Sequence, residues 1–102
     1  MRRLSITTVS VLQALANGVR YGFDVIDATG LASGTVYPIL SRLERDGLLD
    51  STWEDEGQAH GEGRPARRYY RMTRAGTAAL ELASAQYRAL VPGLGRTRRA
   101  RS

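Results

Sequence analysis

The sequence contains no cysteine and no lysine. Without cysteine there is no disulfide scaffold, thiolate metal site or cysteine nucleophile, and every basic side chain but one is arginine, the exception being His60. Long apolar runs are lacking too. The stretch from Val9 to Ala16 is broken by Ser10 and Gln13 and is too short for a membrane span or a secretory leader, so a cytoplasmic protein without a membrane partner is expected. Acidic residues are outnumbered, 10 against 15 basic, leaving a formal net charge of +5. That excess favours a polyanionic partner such as nucleic acid. Arginine's planar fork suits phosphate and guanine, although the complete absence of lysine also fits codon bias. A chain of 102 residues supports one modest core but not an elaborate catalytic cleft as well. A binding module without a cofactor is favoured over an enzyme.

Periodicity supplies the elements. "SITTVSVLQALAN", Ser5 to Asn17, places Ile6, Val9, Leu12, Leu15 and Ala16 near one helical face, and Asn17-Gly18 supplies a stop. "FDVIDATG" fits two further turns ending at Gly30. A third helix starts at Ser33, which is expected as its N-cap, and closes at Gly47. After Gly47 the pattern alternates: "LLDSTWEDE", a turn-rich "GQAHGEG" and "RRYYRMT" predict a β-hairpin with a long, mobile tip. Helical spacing returns from Thr73 and runs to just before Pro92. The fold class expected is mainly α with a small β-hairpin, a winged helix-turn-helix. Residues 1–72 form that unit, 73–91 a C-terminal dimerisation helix, and 92–102, carrying Arg96 to Arg101, a disordered basic tail.

The third helix carries an internal proline, Pro38. At 100° per residue Val36, Ile39, Leu40 and Leu43 fall together, whereas Gly34, Pro38, Ser41 and Arg45 fall opposite, flanked by Tyr37 and Arg42. An ordinary wet face would hold Glu, Gln and Ala. Small residues edged by Tyr and Arg instead admit close approach to another surface, and Pro38 deprives only the Gly34 carbonyl, on the outward side. Gly34 and Pro38 would equally serve simply to start a helix. In the returning strand, Arg67, Tyr69 and Arg71 alternate with Arg68, Tyr70 and Met72. One face can cover the helices while the other, with Arg64, lies along a phosphate backbone.

"YGFDVID", then "GLASGTVYPILSRLERDGLLDSTWE", then "GRPARRYYRMTRAG" resemble the PadR family of bacterial transcriptional regulators. The resemblance implies a winged-helix homodimer on double-stranded DNA that represses its own or a neighbouring promoter, with dimer contacts from the first and last helices. It places Gly34, Thr35, Tyr37 and Pro38 at the entry of the recognition helix and Arg64, Pro65 and Arg67 in the wing, with Trp53 and Tyr69 as packing aromatics. Ser33, Ser41, Arg42, Arg45 and Arg68 complete the candidate DNA-binding set. Family members often carry Ser-Pro where Ala32 and Ser33 stand here, so a different cap is expected. With a single C-terminal helix the chain resembles the family's short form. Some members bind flat aromatic effectors through a Trp on the last helix; this helix has only Tyr87, so no effector is assigned.

Leu80, Ala83, Tyr87 and Leu90 fall on one stripe, either core or dimer seam, and the seam is favoured because three helices and a wing already supply a core. His60 beside Glu54, Asp55, Glu56 and Glu62 has metal-binding residue types, but a lone His in a Gly-flanked loop is expected to be solvated. The same acidic cluster is expected to turn away from phosphate. Asp24 and Asp27, without a nucleophile or pocket, are expected to face solvent. A basic face for an acidic protein partner is the alternative to DNA binding.

Overall fold

The computed structural model describes residues 4–90. Its elements are helices α1 (Ile6–Ala16), α2 (Gly22–Thr29) and α3 (Ser33–Arg45), strand β1 (Leu49–Trp53), a short helix α4 (Glu56–Gly61), strand β2 (Arg68–Met72) and helix α5 (Arg74–Leu90). The basic tail assigned to 92–102 lies outside the described residues.

Local chemistry sets each boundary. Ser5 caps α1 by accepting a hydrogen bond from the Thr8 amide. Helix α3 ends in a Schellman turn, with the Gly47 amide donating to the Glu44 carbonyl and the Leu48 amide to the Leu43 carbonyl. Gly47 adopts φ +79° there, a conformation that costs glycine little. The start of α3 differs from expectation: Ala32 is the N-cap, without a side-chain bond, and Ser33 is the first helical residue. Thr73 caps α5 by accepting from the Gly76 amide, while its hydroxyl donates to the Gly47 carbonyl at 2.7 Å.

The core joins Val11, Leu12 and Leu15 of α1, Val25 of α2, Val36, Ile39, Leu40 and Leu43 of α3, Leu49 of β1 and Leu80 of α5. The buried side of α1 is Thr8, Val11, Leu12, Ala14 and Leu15 rather than the stripe through Ile6 and Ala16; Ile6 is 57% exposed. The hairpin is antiparallel, pairing Leu49 with Met72 and Trp53 with Arg68. A third segment extends it. Tyr21 bridges Tyr69, and the Tyr70 amide donates to the Arg20 carbonyl at 2.8 Å, so the α1–α2 connection covers the edge of β2. The hairpin tip is not a plain loop. It contains α4, begun by Asp55, whose carboxylate accepts from the Gly57 amide at 2.8 Å, and anchored by buried Ala59.

Candidate nucleic-acid interface

On α3 the four apolar residues are buried, and Ser33, Gly34, Thr35, Tyr37, Pro38, Ser41, Arg42 and Arg45 are all exposed. The two faces thus separate as the helical spacing requires. A Cβ placed on Gly34 would meet nothing within 4 Å, so its smallness serves no packing inside the chain. Tyr37 is more engaged: a Cβ on Gly22 would come within 2.5 Å of its ring, so the side chain rests on the start of α2.

In the hairpin, Tyr70 and Met72 pack against the core, and the same face carries Arg68 to α3, where it reaches Glu44 at 3.3 Å and the Ser51 hydroxyl at 2.9 Å. The Ser51 hydroxyl in turn donates to Glu44 at 2.6 Å. Trp53 is 64% exposed, covered by the Arg68 guanidinium 5.4 Å from its ring centre, so it is not the packed aromatic that the resemblance implied. Arg71 lies 3.5 Å from Asp50 across the strands. On that outer face the Tyr21 and Tyr69 rings meet at 4.8 Å, and the Arg67 guanidinium sits 4.6 Å above the Tyr21 ring. Hydrogen bonding to Tyr21, with burial second, raises the Tyr69 phenol above its ordinary range.

Arg64 does not face outward alone. Its guanidinium grips the Glu54 carboxylate with both terminal nitrogens, one at 2.6 Å, and reaches Glu62 at 3.0 Å. Glu54 is buried; its hydrogen bonds from Arg64 hold the carboxyl down at about 2 against the desolvation that opposes them, so it stays ionised throughout the physiological range. The acidic cluster therefore divides: Glu54 is turned into the wing, while Asp55 and Glu62 are exposed, as is His60. No group of three metal-ligating side chains occurs among the described residues. Pro65 is exposed, as are Asp24 and Asp27 on α2. The buried carboxylate was missed in the sequence because its partner lies ten residues away across a turn-rich stretch.

The stripe on α5 also divides. Leu80 and Ala83 are buried in this chain, and Tyr87 donates from its hydroxyl to the Leu4 carbonyl. Leu90 is 57% exposed. The opposite side of the helix presents Ala78, Leu82, Ala85 and Ala89, all exposed, at spacings that fall on one face.

The model of the PadR-like family of transcriptional regulators matches residues 11–82. The chain belongs to that family. Solved structures agree. A PadR-like transcription factor from Bacteroides fragilis is 26% identical, with 89% of this chain and 88% of that one covered and a TM-score of 0.72. A PadR family regulator from Eggerthella lenta is 30% identical, covering 84% and 78%, with a TM-score of 0.66. A third, from Clostridium difficile, is 25% identical, covering 84% and 91%, with a TM-score of 0.72. Among curated proteins none matches. The PadR-like chain is thus a winged-helix protein of a family of transcriptional regulators, not of enzymes, and DNA is the partner that family implies. No helix among its described residues is long and apolar enough to cross a membrane.

Proposed function

We propose that this PadR-like protein is a cytoplasmic repressor that binds an inverted-repeat operator as a homodimer. The observation that carries the reading is the outward face of α3, exposed from Ser33 to Arg45, with Gly34 open to close approach and Arg42 and Arg45 at its C-terminal end. Helix α3 enters the major groove, where Arg42 and Arg45 reach base edges or phosphates, and the wing lies along the adjacent backbone. Half-site centres are then about one helical turn apart, roughly 34 to 36 Å. The seam between subunits runs along Ala78, Leu82, Ala85 and Ala89, the exposed face of α5 opposite Leu80 and Ala83, which are buried in the chain's own core.

Fluorescence anisotropy against DNA from upstream of the protein's own gene, compared with a scrambled duplex over roughly 50 to 200 mM salt, tests this reading. Preference for the upstream DNA should persist at the higher salt while log K falls with a slope of about −0.9 per phosphate contacted. Equal binding to both duplexes that disappears with salt would leave only a basic surface and favour an acidic protein partner.

Tyr37 offers a second test. In Gly22→Ala the new methyl displaces the far end of the Tyr37 side chain, a cheap adjustment for the fold. Operator affinity is expected to fall about fivefold, on the order of 1 kcal/mol, with the melting temperature little changed. Wild-type affinity for this variant would remove Tyr37 from the interface.

A further inference from the structure

The wing arginines are not equivalent. Arg68 is paired with Glu44, Arg71 with Asp50 and Arg64 with Glu54 and Glu62, whereas no carboxylate of the described residues forms an ion pair with Arg67. Its guanidinium lies instead on the Tyr21 ring, supported from the side by Tyr69. An exposed arginine held over an aromatic ring keeps its charge available and loses less side-chain freedom on meeting a phosphate. Its position depends on where β2 begins, and that is fixed from across the hairpin. The Glu54 amide donates to the Arg67 carbonyl at 2.7 Å, and the Glu54 carboxylate accepts from the Arg67 amide at 3.2 Å. The same carboxylate takes the two-pronged grip of Arg64. One buried acid therefore ties together both chain ends of the tip that contains α4.

We infer that Glu54 is a positioning residue for nucleic-acid binding: with Arg64 it latches the wing tip shut and so presents Arg67, the wing's phosphate-contacting cation. The inference rests on the DNA-binding reading above. It gives Arg64 an internal task although its charge makes it look like a phosphate ligand. A buried carboxylate gripped by a fork and also bonded to a backbone amide leaves few donors unanswered, and removing either partner leaves the other stranded in a desolvated place.

The test turns on a sign. Removing a negative charge from a DNA-binding surface ordinarily strengthens binding, and it would do so here if Arg64 were a phosphate ligand restrained by Glu54. The latch demands the reverse. With the full chain and the upstream duplex, Glu54→Gln, which turns an amide N–H toward Arg64, should weaken binding about fivefold at fixed salt, although the net charge rises by one. The exposed control Asp50→Asn should bind as well as wild type or better. Arg67→Ala should make the salt slope shallower by about 0.9, and Glu54→Gln should cost nothing further in the Arg67→Ala background, because its effect passes through Arg67. Should Glu54→Gln fail to fold, as judged by its melting curve, Arg64→Lys carries the test through coupling instead of sign: it keeps the charge and loses the fork, and its loss of binding should vanish in the Arg67→Ala background, whereas a direct phosphate contact by Arg64 would lose affinity there too.

Unchanged or tighter binding by Glu54→Gln or by Arg64→Lys overturns the inference, as does a loss that persists undiminished without Arg67. Wild-type protein without salt-dependent affinity for DNA would overturn the DNA reading itself, and the assignment with it; wild-type binding with indifferent variants overturns the assignment alone.

Discussion

Gly76→Ala is expected to lower the melting temperature by about 10 °C, the equivalent of about 2 kcal/mol in a domain of this size. Alanine is the better helix former, and in an open helix the exchange would gain roughly 1 kcal/mol. Here the added Cβ would lie 2.1 Å from the Leu48 carbonyl oxygen and 3.1 Å from its carbon. Backbone on both sides leaves no side chain to swing away. Either α5 moves off the turn after α3, or the bonds that Thr73 makes to Gly47 and Leu48 stretch. Both routes strain contacts at the edge of the core, so overpacking outweighs propensity. Thermal unfolding followed by circular dichroism measures the effect. A variant as stable as wild type would show that the close approach of α5 to Leu48 contributes nothing to the fold.

Leu82→Asp is expected to have the largest effect on operator binding. Leu82 is 52% exposed and lies on the side of α5 opposite the buried Leu80 and Ala83, so the single chain is expected to tolerate a carboxylate there and to melt as wild type does. In the proposed dimer two such carboxylates would face a symmetric copy of the same apolar stripe, where an unpaired charge loses its water without compensation. The dimer should dissociate at micromolar concentration, readable by sedimentation. Affinity for an operator carrying both half-sites should then fall about a hundredfold or more, since linking two binding units raises avidity by that order without any new contact. Affinity for a lone half-site should stay close to that of wild type. An unchanged dimer would take this face of α5 out of the interface.

Most of the architecture was legible in the residues because it is written in short-range chemistry. Ser5, Gly30, Gly47 and Thr73 each mark a helix end by a bond or a backbone angle that depends on near neighbours, and the alternation in "RRYYRMT" distinguishes the strand face that covers the helices. Helix α4 was hidden because "EGQAHG" carries two glycines and little apolar pattern; what holds it is the bond to Asp55 and the burial of a single methyl, Ala59. The apolar stripe of α5 was seen but not its destination. Helical spacing shows that Leu80 and Ala83 seek an apolar partner, and it cannot tell a partner in the same chain from one in another. The outward set on α3 was fully readable, since it is the complement of a strong inward stripe. The pairing of Glu54 with Arg64 was not, because local periodicity carries no information about which charge meets which across a hairpin.

The junction between α3 and α5 has a mechanical meaning. Gly47 and Leu48 end the helix that faces DNA in the proposed complex, and Thr73 and Gly76 begin the helix proposed to join the subunits; the two ends are bolted together by the Thr73 hydroxyl, the Thr73 amide and the fit of Gly76 against a carbonyl. Such a joint transmits rotation instead of absorbing it. Helix α5 has 17 residues, a lever of about 25 Å, so a swing of about 5° at the subunit seam shifts its far end by about 2 Å. With α3 turning with it, the gauge between the two reading heads of the proposed dimer would be set at the seam, far from any base pair.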